Sequence, residues 1–327
     1  MPKILIIRFS SIGDIVLTTP VIRAIYEQIP QAEIHFLTKS SYAFLFVAHP
    51  FVSKVWCWQK KHAETLALEL KAAHFDYIID LHHNLRSLNI KVALDAPAFS
   101  FDKLNIEKWV MVHFKKNILP PLHIVERYMK TVSKIGVRNI PNTLDFFIPK
   151  SELIDLASRY PLLATTKYVV ACIGAQHETK KMPMEKWKSL LQDLNCTVAI
   201  LGGQEDFENG EKLSALNNVV NLCGELSVFG SASMIQQSAF VITHDTGMMH
   251  IAAAFRKKIL SIWGNTIPEF GMYPYGAEKS FLFEVKNLSC RPCSKIGFSV
   301  CPKKHFKCMH DQDIAKMIDV VKSEMNI

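Results

Sequence analysis

Short apolar runs rich in Val, Ile and Leu alternate with stretches of helical period along most of the chain. In the first half this pattern predicts strands at Lys3–Ile7, Glu33–Leu37, Val52–Trp56, Tyr77–Leu81 and Leu144–Ile148. Amphipathic stretches such as Val21–Gln28 and Ala63–Ala73 lie between them. In the second half the strands fall at Tyr168–Ile173, Thr197–Leu201, Val219–Leu222, Phe240–Thr243 and Ile259–Trp263. The helices there are Met184–Leu194, Phe207–Ala215, Ala232–Gln237 and Met248–Phe255. Strands without polar alternation leave no face for water, so they belong in parallel sheets covered by helices on both sides. The rhythm stalls over Ser151–Lys167, where a helical stretch ends at Tyr160-Pro161. The boundary is therefore placed there, giving doubly wound domains at 1–160 and 161–327. Two such domains facing a central cleft would line it with strand carboxyl ends and helix N-termini. A closing helix is predicted at Ile314–Met325, which in proteins of this kind can cross back to the first domain.

Composition agrees with this reading without sharpening it. The chain has 327 residues, 49% hydrophobic and 21% charged, longer than one core usually grows. Its net charge of +8 suits phosphates, nucleic acid or acidic lipid headgroups without choosing among them. No run reaches the length of about 18 apolar residues that spans a bilayer. Met1-Pro2-Lys3 leads into four apolar residues and then Arg8, too short a run for a secretory signal. A cytoplasmic protein is the expectation. Cys57, Cys172, Cys196 and Cys223 are scattered among apolar segments and read as reduced thiols. Cys290, Cys293, Cys301 and Cys308 crowd together. Their opening C-x2-C fits a zinc site, but the later spacings are irregular. Reduced or reversibly oxidised thiols are the preferred reading, and no cofactor is expected.

The residues that could carry chemistry fall at strand-to-helix turns. Ser10, Ser11 and Gly13 form a short loop after the first strand, leaving backbone N–H groups at a helix start. Asp14 in that first turn stays ionised beside the helix dipole and could take a proton from an attacking hydroxyl; a helix cap explains it as well. After the strand Phe240–Thr243 come Asp245, Thr246, Gly247 and His250. The N–H groups of Thr246 and Gly247 can bind a diphosphate, and Asp245 could orient donor hydroxyls. Gly174 leads to Lys180 and Lys181, either of which could neutralise a departing diphosphate. Glu205 or Asp206 could accept a hydrogen bond from a ribose, or merely cap the next helix. The D-x-D sequence Asp311-Gln312-Asp313 could hold a divalent ion, yet at the start of the last helix it reads better as a cap. Neither a Walker A nor a G-x-G-x-x-G sequence is present, which argues against a nicotinamide dehydrogenase.

Taken together these residues resemble the heptosyltransferase family, glycosyltransferase family 9, which builds the inner core of lipopolysaccharide. The resemblance rests on Lys3–Arg8 running into Ser11-Ile12-Gly13-Asp14 and Thr18-Thr19-Pro20, on Asp80-Leu81-His82 with Arg86-Ser87, and on His123–Tyr128. It continues in Lys180–Trp187, Asp245–His250, Gly264-Asn265-Thr266 and Cys290-Arg291-Pro292-Cys293. Where some members carry hydroxyl residues before the lysine, this chain has Ala175-Gln176.

The resemblance implies a GT-B fold, with the acceptor on the N-terminal Rossmann-like domain and the nucleotide-sugar donor on the C-terminal one. It implies an inverting, metal-independent transfer from an ADP-heptose-type donor to a lipid-linked saccharide. Asp14 matches the general base, Lys180 the lysine near the donor phosphates and Asp206 the acidic position near the ribose. Asp245, Thr246, Gly247 and His250 match the donor block. A monomer in peripheral contact with an anionic membrane surface at the inner face of the inner membrane is expected, with no nucleic-acid partner. The alternatives are a transferase for another glycan, a nucleotide-sugar epimerase, or a non-catalytic module binding nucleotide or anionic lipid.

Overall fold

The computed structural model describes residues 1–327. Eleven strands run in chain order: β1 Lys3–Ile7, β2 Glu33–Lys39, β3 Lys54–Trp58, β4 Tyr77–Asp80, β5 Ala98–Ser100, β6 Val169–Cys172, β7 Val198–Leu201, β8 Val219–Asn221, β9 Phe240–His244, β10 Lys258–Trp263 and β11 Lys279–Glu284. The α-helices are α1 Ile12–Val16, α2 Thr19–Gln28, α3 Ala63–Ala72, α4 Leu85–Leu94, α5 Asn105–Phe114, α6 Ile124–Val132, α7 Leu156–Arg159, α8 Pro161–Ala164, α9 Met184–Gln192, α10 Phe207–Ser214, α11 Val228–Gln237, α12 Gly247–Ala254, α13 Lys307–His310 and α14 Ile314–Met325.

The strands form two parallel sheets, ordered β3-β2-β1-β4-β5 and β11-β10-β9-β6-β7-β8. In the first, the chain winds outward through β2 and β3 and then returns to place β4 on the other side of β1. In the second, it winds out through β7 and β8 and returns to place β9 beside β6. Each return creates a switch point, a gap at the carboxyl ends of the two central strands that no crossover covers. Ile7 pairs with Asp80 at the first, and Cys172 with Thr243 at the second. The residues that follow these pairs are the ones able to line a ligand site.

The central strands are fully buried, as their unbroken apolar runs require. Around β6, β7, β9 and β10 the second core takes in Trp187, Leu190 and Leu191 of α9 and Met317, Val321 and Met325 of α14. The first core gathers Leu5, Ile7, Phe9, Leu37 and Ile78 with Leu66 and Leu70 of α3. No helix is long and apolar enough to cross a membrane.

Several expected features are corrected. The chain divides into one unit of residues 1–104 and 122–147 and another of 105–121 and 148–327, so the boundary moves from 160/161 to 147/148. The intervening residues are tied to the second unit: Ile154 N–H donates to Ser233 Oγ at 2.9 Å and Ser227 Oγ to Glu152 at 2.7 Å. The last helix does not cross back, because its apolar face is buried in the second core. Leu144–Ile148 is no strand. Arg23 of α2 pins it instead, binding Asp145 at 2.8 Å and Thr143 O at 2.7 Å. Two edge strands gave no clear signal, β5 for its three residues and β11 for its exposed polar ends.

Burial holds three histidines neutral. His49 among Phe46, Phe51 and Phe147, His82 against Phe9 and His244 in β9 are each pushed down from 6.5 to about 4 by desolvation. In the unfolded chain the same imidazoles take up protons near their ordinary value. The unfolded state therefore binds more protons between pH 6.5 and 4, and stability falls as the pH drops through that window. Thermal unfolding at pH 7 and pH 5 should show the lower melting temperature at pH 5. Equal melting temperatures would contradict this account of the three sites.

Candidate active site

The first half-site lies at the β1/β4 switch point. Arg8 follows β1 and is buried, with four partners around its guanidinium. Nη1 donates to Leu81 O after β4 and to Tyr128 Oη on α6, Nε donates to Ser10 O at 2.9 Å, and Nη2 pairs with Asp14 at 2.7 Å. Asp14 is the third residue of α1. Its other oxygen accepts from Ser11 N–H at 3.0 Å and Ser11 Oγ at 2.9 Å, so Asp14 does cap the helix. The cap and a chemical role are not exclusive, because the Asp14 side chain remains 21% exposed. Gly13 is buried in the same turn.

Burial alone would push the Asp14 carboxyl up. The Arg8 guanidinium and the two Ser11 donors more than reverse this, and Asp14 sits below the usual carboxylate range. Asp80 is buried and receives the N–H groups of His82 and His83, at 3.0 and 2.7 Å, and the Lys91 ammonium at 2.9 Å. These contacts fix the turn that carries Leu81 O to Arg8. His82 packs edge-on against Phe9, with ring centroids 5.0 Å apart.

The second half-site lies at the β6/β9 switch point. Lys180 Nζ lies 2.6 Å from Asp245 Oδ2 and donates to Asp245 O at 3.1 Å. Thr266 Oγ1 donates to the same carboxylate oxygen at 2.9 Å. Thr246 caps α12 from an extended conformation, and Gly247 is that helix's first residue. The free N–H groups there add the positive end of a helix dipole next to the Lys180 ammonium. His250 is buried one turn further along α12.

Lys181 turns elsewhere, to Asp206 at 3.1 Å and Glu178 at 2.9 Å. Asp206 is buried, and its second oxygen accepts from Gly203 N–H at 3.1 Å. Its carboxylate thus holds the lysine loop to the turn after β7, whereas Glu205 beside it is exposed. Gly174 ends this sheet region with no room for a side chain, since a Cβ there would run into the Asp206 carboxylate.

The four late cysteines are free thiols. Cys293 is pushed up to about 11 and Cys308 to about 12 by burial. No three His, Cys, Asp or Glu side chains are arranged to hold a metal ion. Asp313 caps α14 by accepting from Lys316 N–H at 3.0 Å, as its position suggested.

Sequence reasoning gave no site role to four supporting residues, three of which lie in the segments that carry the family resemblance. Arg8 and Tyr128 complete the first half-site, and a cation ending an apolar strand was the available signal for Arg8. His244 and Arg291 support the second. Neutral His244 accepts Met182 N–H at 2.9 Å and so clamps the lysine loop to β9. Arg291 pairs with Glu284 at 2.7 Å and donates to Gly264 O and Thr266 O, bracing the segment that reaches Asp245.

The family model for glycosyltransferase family 9 (heptosyltransferase) matches residues 64–303. Lipopolysaccharide heptosyltransferase 1 of Pseudomonas aeruginosa is 24% identical over 331 residues, covering 94% of this chain and 91% of that protein. A family 9 glycosyl transferase structure from Veillonella parvula aligns with a TM-score of 0.78 at 17% identity, over 99% of this chain and 97% of that one. The Escherichia coli ADP-heptose lipopolysaccharide heptosyltransferase II structure aligns with a TM-score of 0.73 at 19% identity, over 99% and 98%. These structural likenesses establish the GT-B fold, and the family match over most of the sequence establishes that the chain is a glycosyltransferase belonging to family 9, the heptosyltransferases.

Proposed function

We propose that this enzyme transfers heptose from ADP-heptose to a saccharide of the lipopolysaccharide inner core, with inversion and without a metal ion. It would act as a monomer at the cytoplasmic face of the inner membrane. The observation that carries the reading is the division of charge between the switch points. An ionised carboxylate stands at one, and a lysine beside a helix N-terminus at the other. The similarity to heptosyltransferase 1 and to a structure named for ADP-heptose supports the donor and acceptor assignments.

In this mechanism the acceptor hydroxyl attacks the anomeric carbon and the nucleoside diphosphate leaves from the opposite face, so a single displacement inverts the centre. Asp14 receives the hydroxyl proton. A carboxylate held below its usual range by Arg8 and Ser11 is a weak base, which decides when the proton moves. The attacking oxygen becomes strongly acidic only once its bond to carbon is largely made, and at that stage even a weak carboxylate suffices. The Arg8 pair therefore trades proton affinity for a base that is ready at any physiological pH.

The leaving diphosphate is a stable anion and needs positive charge rather than a proton. Lys180 and the α12 N-terminus supply it. Asp245 holds Lys180 in place before the donor arrives, and Thr266 orients Asp245. With Asp206 committed to Lys181 and Gly203, the exposed Glu205 is the better acceptor for the ribose hydroxyls.

Asp14→Asn should retain donor affinity by calorimetry while turnover falls by about 10²–10⁴, the range for a lost general base. Near wild-type turnover would remove Asp14 from that role. Lys180→Ala should weaken donor binding by about tenfold or more, the scale of one charge-assisted hydrogen bond, and Lys181→Ala much less. The reverse order would exchange the two lysines' roles. The pH profile tests the Arg8–Asp14 pair. In the wild type Asp14 is ionised across pH 5–8 and adds no acid limb there. Arg8→Gln removes the main lowering influence, so an acid limb should move up into the measurable range. Superimposable profiles from folded variant and wild type would contradict the pairing.

A further inference from the structure

Helix α5 turns much of its apolar surface to water. None of its residues is buried, and apart from Asn105 its exposed positions are Ile106, Trp109, His113 and Phe114. These are i, i+3, i+7 and i+8, which place one apolar arc outward. Ile106 is 73% and Phe114 66% exposed, and the Trp109 ring packs against His113 and Phe114, with centroids 4.8 and 5.4 Å apart. The helix belongs to the second unit and is tied to the rest of it on its other side. Lys115 Nζ donates to Pro292 O at 2.7 Å, and Lys108 lies over the Phe270 ring.

The loop that receives α5 repeats this chemistry. Lys295 Nζ reaches Asn105 O at 3.4 Å, and the next residue, Ile296, is 63% exposed, followed by Val300 at 71%. Charge along both segments is one-sided. From Lys286 to His310 there is no acidic residue, and residues 105–118 contain only Glu107. Lys116, Lys303 and Lys304 are exposed among the apolar groups. The loop is anchored at Phe298, whose N–H donates to Thr179 Oγ1 at 2.8 Å, one residue from Lys180.

We infer that α5 and the 295–304 loop together form the surface by which the enzyme docks on an anionic lipid bilayer. Exposed Trp, Phe and Ile with interspersed lysines are what a helix needs to lie in a headgroup layer, burying its apolar arc while ammonium groups meet lipid phosphates. A second copy of the chain fits poorly. Like charges would face each other across such a contact, and protein interfaces are depleted in lysine. The lipid-borne acceptor of the proposed function gives the surface its purpose, and the inference rests on that reading only for purpose. Through Phe298 and Thr179 the docked loop is continuous with the donor lysine, so the membrane-facing side and the donor loop are mechanically one piece.

Co-sedimentation with vesicles tests the surface directly, with neither donor nor acceptor present. The full-length protein should bind mixed phosphatidylglycerol–phosphatidylcholine vesicles and not pure phosphatidylcholine ones. Combined Ile106→Ser, Phe114→Ser and Ile296→Ser should cut partitioning at least about tenfold, as expected when several buried apolar groups are removed from the headgroup layer. Lys116→Ser and Lys303→Ser should each cost about fivefold, the factor for one lysine near an anionic surface. Because all these side chains are exposed, melting temperature should hold, and so should turnover with an acceptor stripped of its acyl chains. Unchanged partitioning in the variants would overturn the inference. So would a wild-type dimer that these substitutions dissociate, or single-stranded oligonucleotide binding lost in them without vesicle binding. Failure to transfer heptose would leave the vesicle result untouched and would count only against the proposed function.

Discussion

The Arg8–Asp14 ion pair is the constraint on which the first half of the site depends. A guanidinium at the end of β1 has left bulk water and must find partners, and it finds four on three segments: Ser10 and Asp14, Leu81, and Tyr128. Removing one member of a buried pair typically costs about 3–5 kcal/mol, because the other charge is stranded. The pair therefore locks the loop after β1, the turn after β4 and helix α6 into one arrangement. The carboxylate that results is held below its usual range, and so ionised at neutral pH, in one fixed place. Its weakness as a base follows from the same contacts, so position and proton affinity cannot be tuned separately here.

The second half-site solves the converse problem. In the proposed mechanism its task is to receive an anion, and a bare lysine beside a helix N-terminus would repel its surroundings when no anion is bound. Asp245 occupies Lys180 in the interim, held by Thr266, while Asp206 does the same for Lys181. Two adjacent lysines are thereby sent to different partners, a distinction that sequence spacing could not show. Neutral His244 and the Arg291–Glu284 pair brace these contacts from either side. Both half-sites owe their location to topology, since each sits where the winding of its sheet reverses.

How much of this was legible in the sequence follows from what each feature depends on. Buried central strands announce themselves because burial on both faces demands apolar residues throughout, and β1, β6, β7, β9 and β10 were placed to within a residue or so. Helix α14 was placed without error by its periodicity and its Asp313 cap. Edge strands β5 and β11 answer to their neighbours more than to their own composition, and the boundary near 147 is set by hydrogen bonds such as Ile154 to Ser233 that no local pattern encodes. Asp14 and the Asp245-Thr246-Gly247 turn were singled out because turns after apolar strands are few, and both fall at switch points of their sheets. Arg8, Tyr128 and His244 were not, since their importance lies in partners more than sixty residues away. Helix α5 was missed because its apolar arc faces outward, where no core pattern would place it.

The account stands or falls on sugar transfer. The most direct measurement is mass spectrometry of a lipopolysaccharide-core acceptor incubated with the enzyme and ADP-heptose, with the product's anomeric configuration read by NMR. The account predicts an acceptor heavier by one heptose, joined with inverted configuration, and no change in the donor when acceptor is omitted. An unmodified acceptor, a retained configuration, or conversion of the donor alone would contradict it.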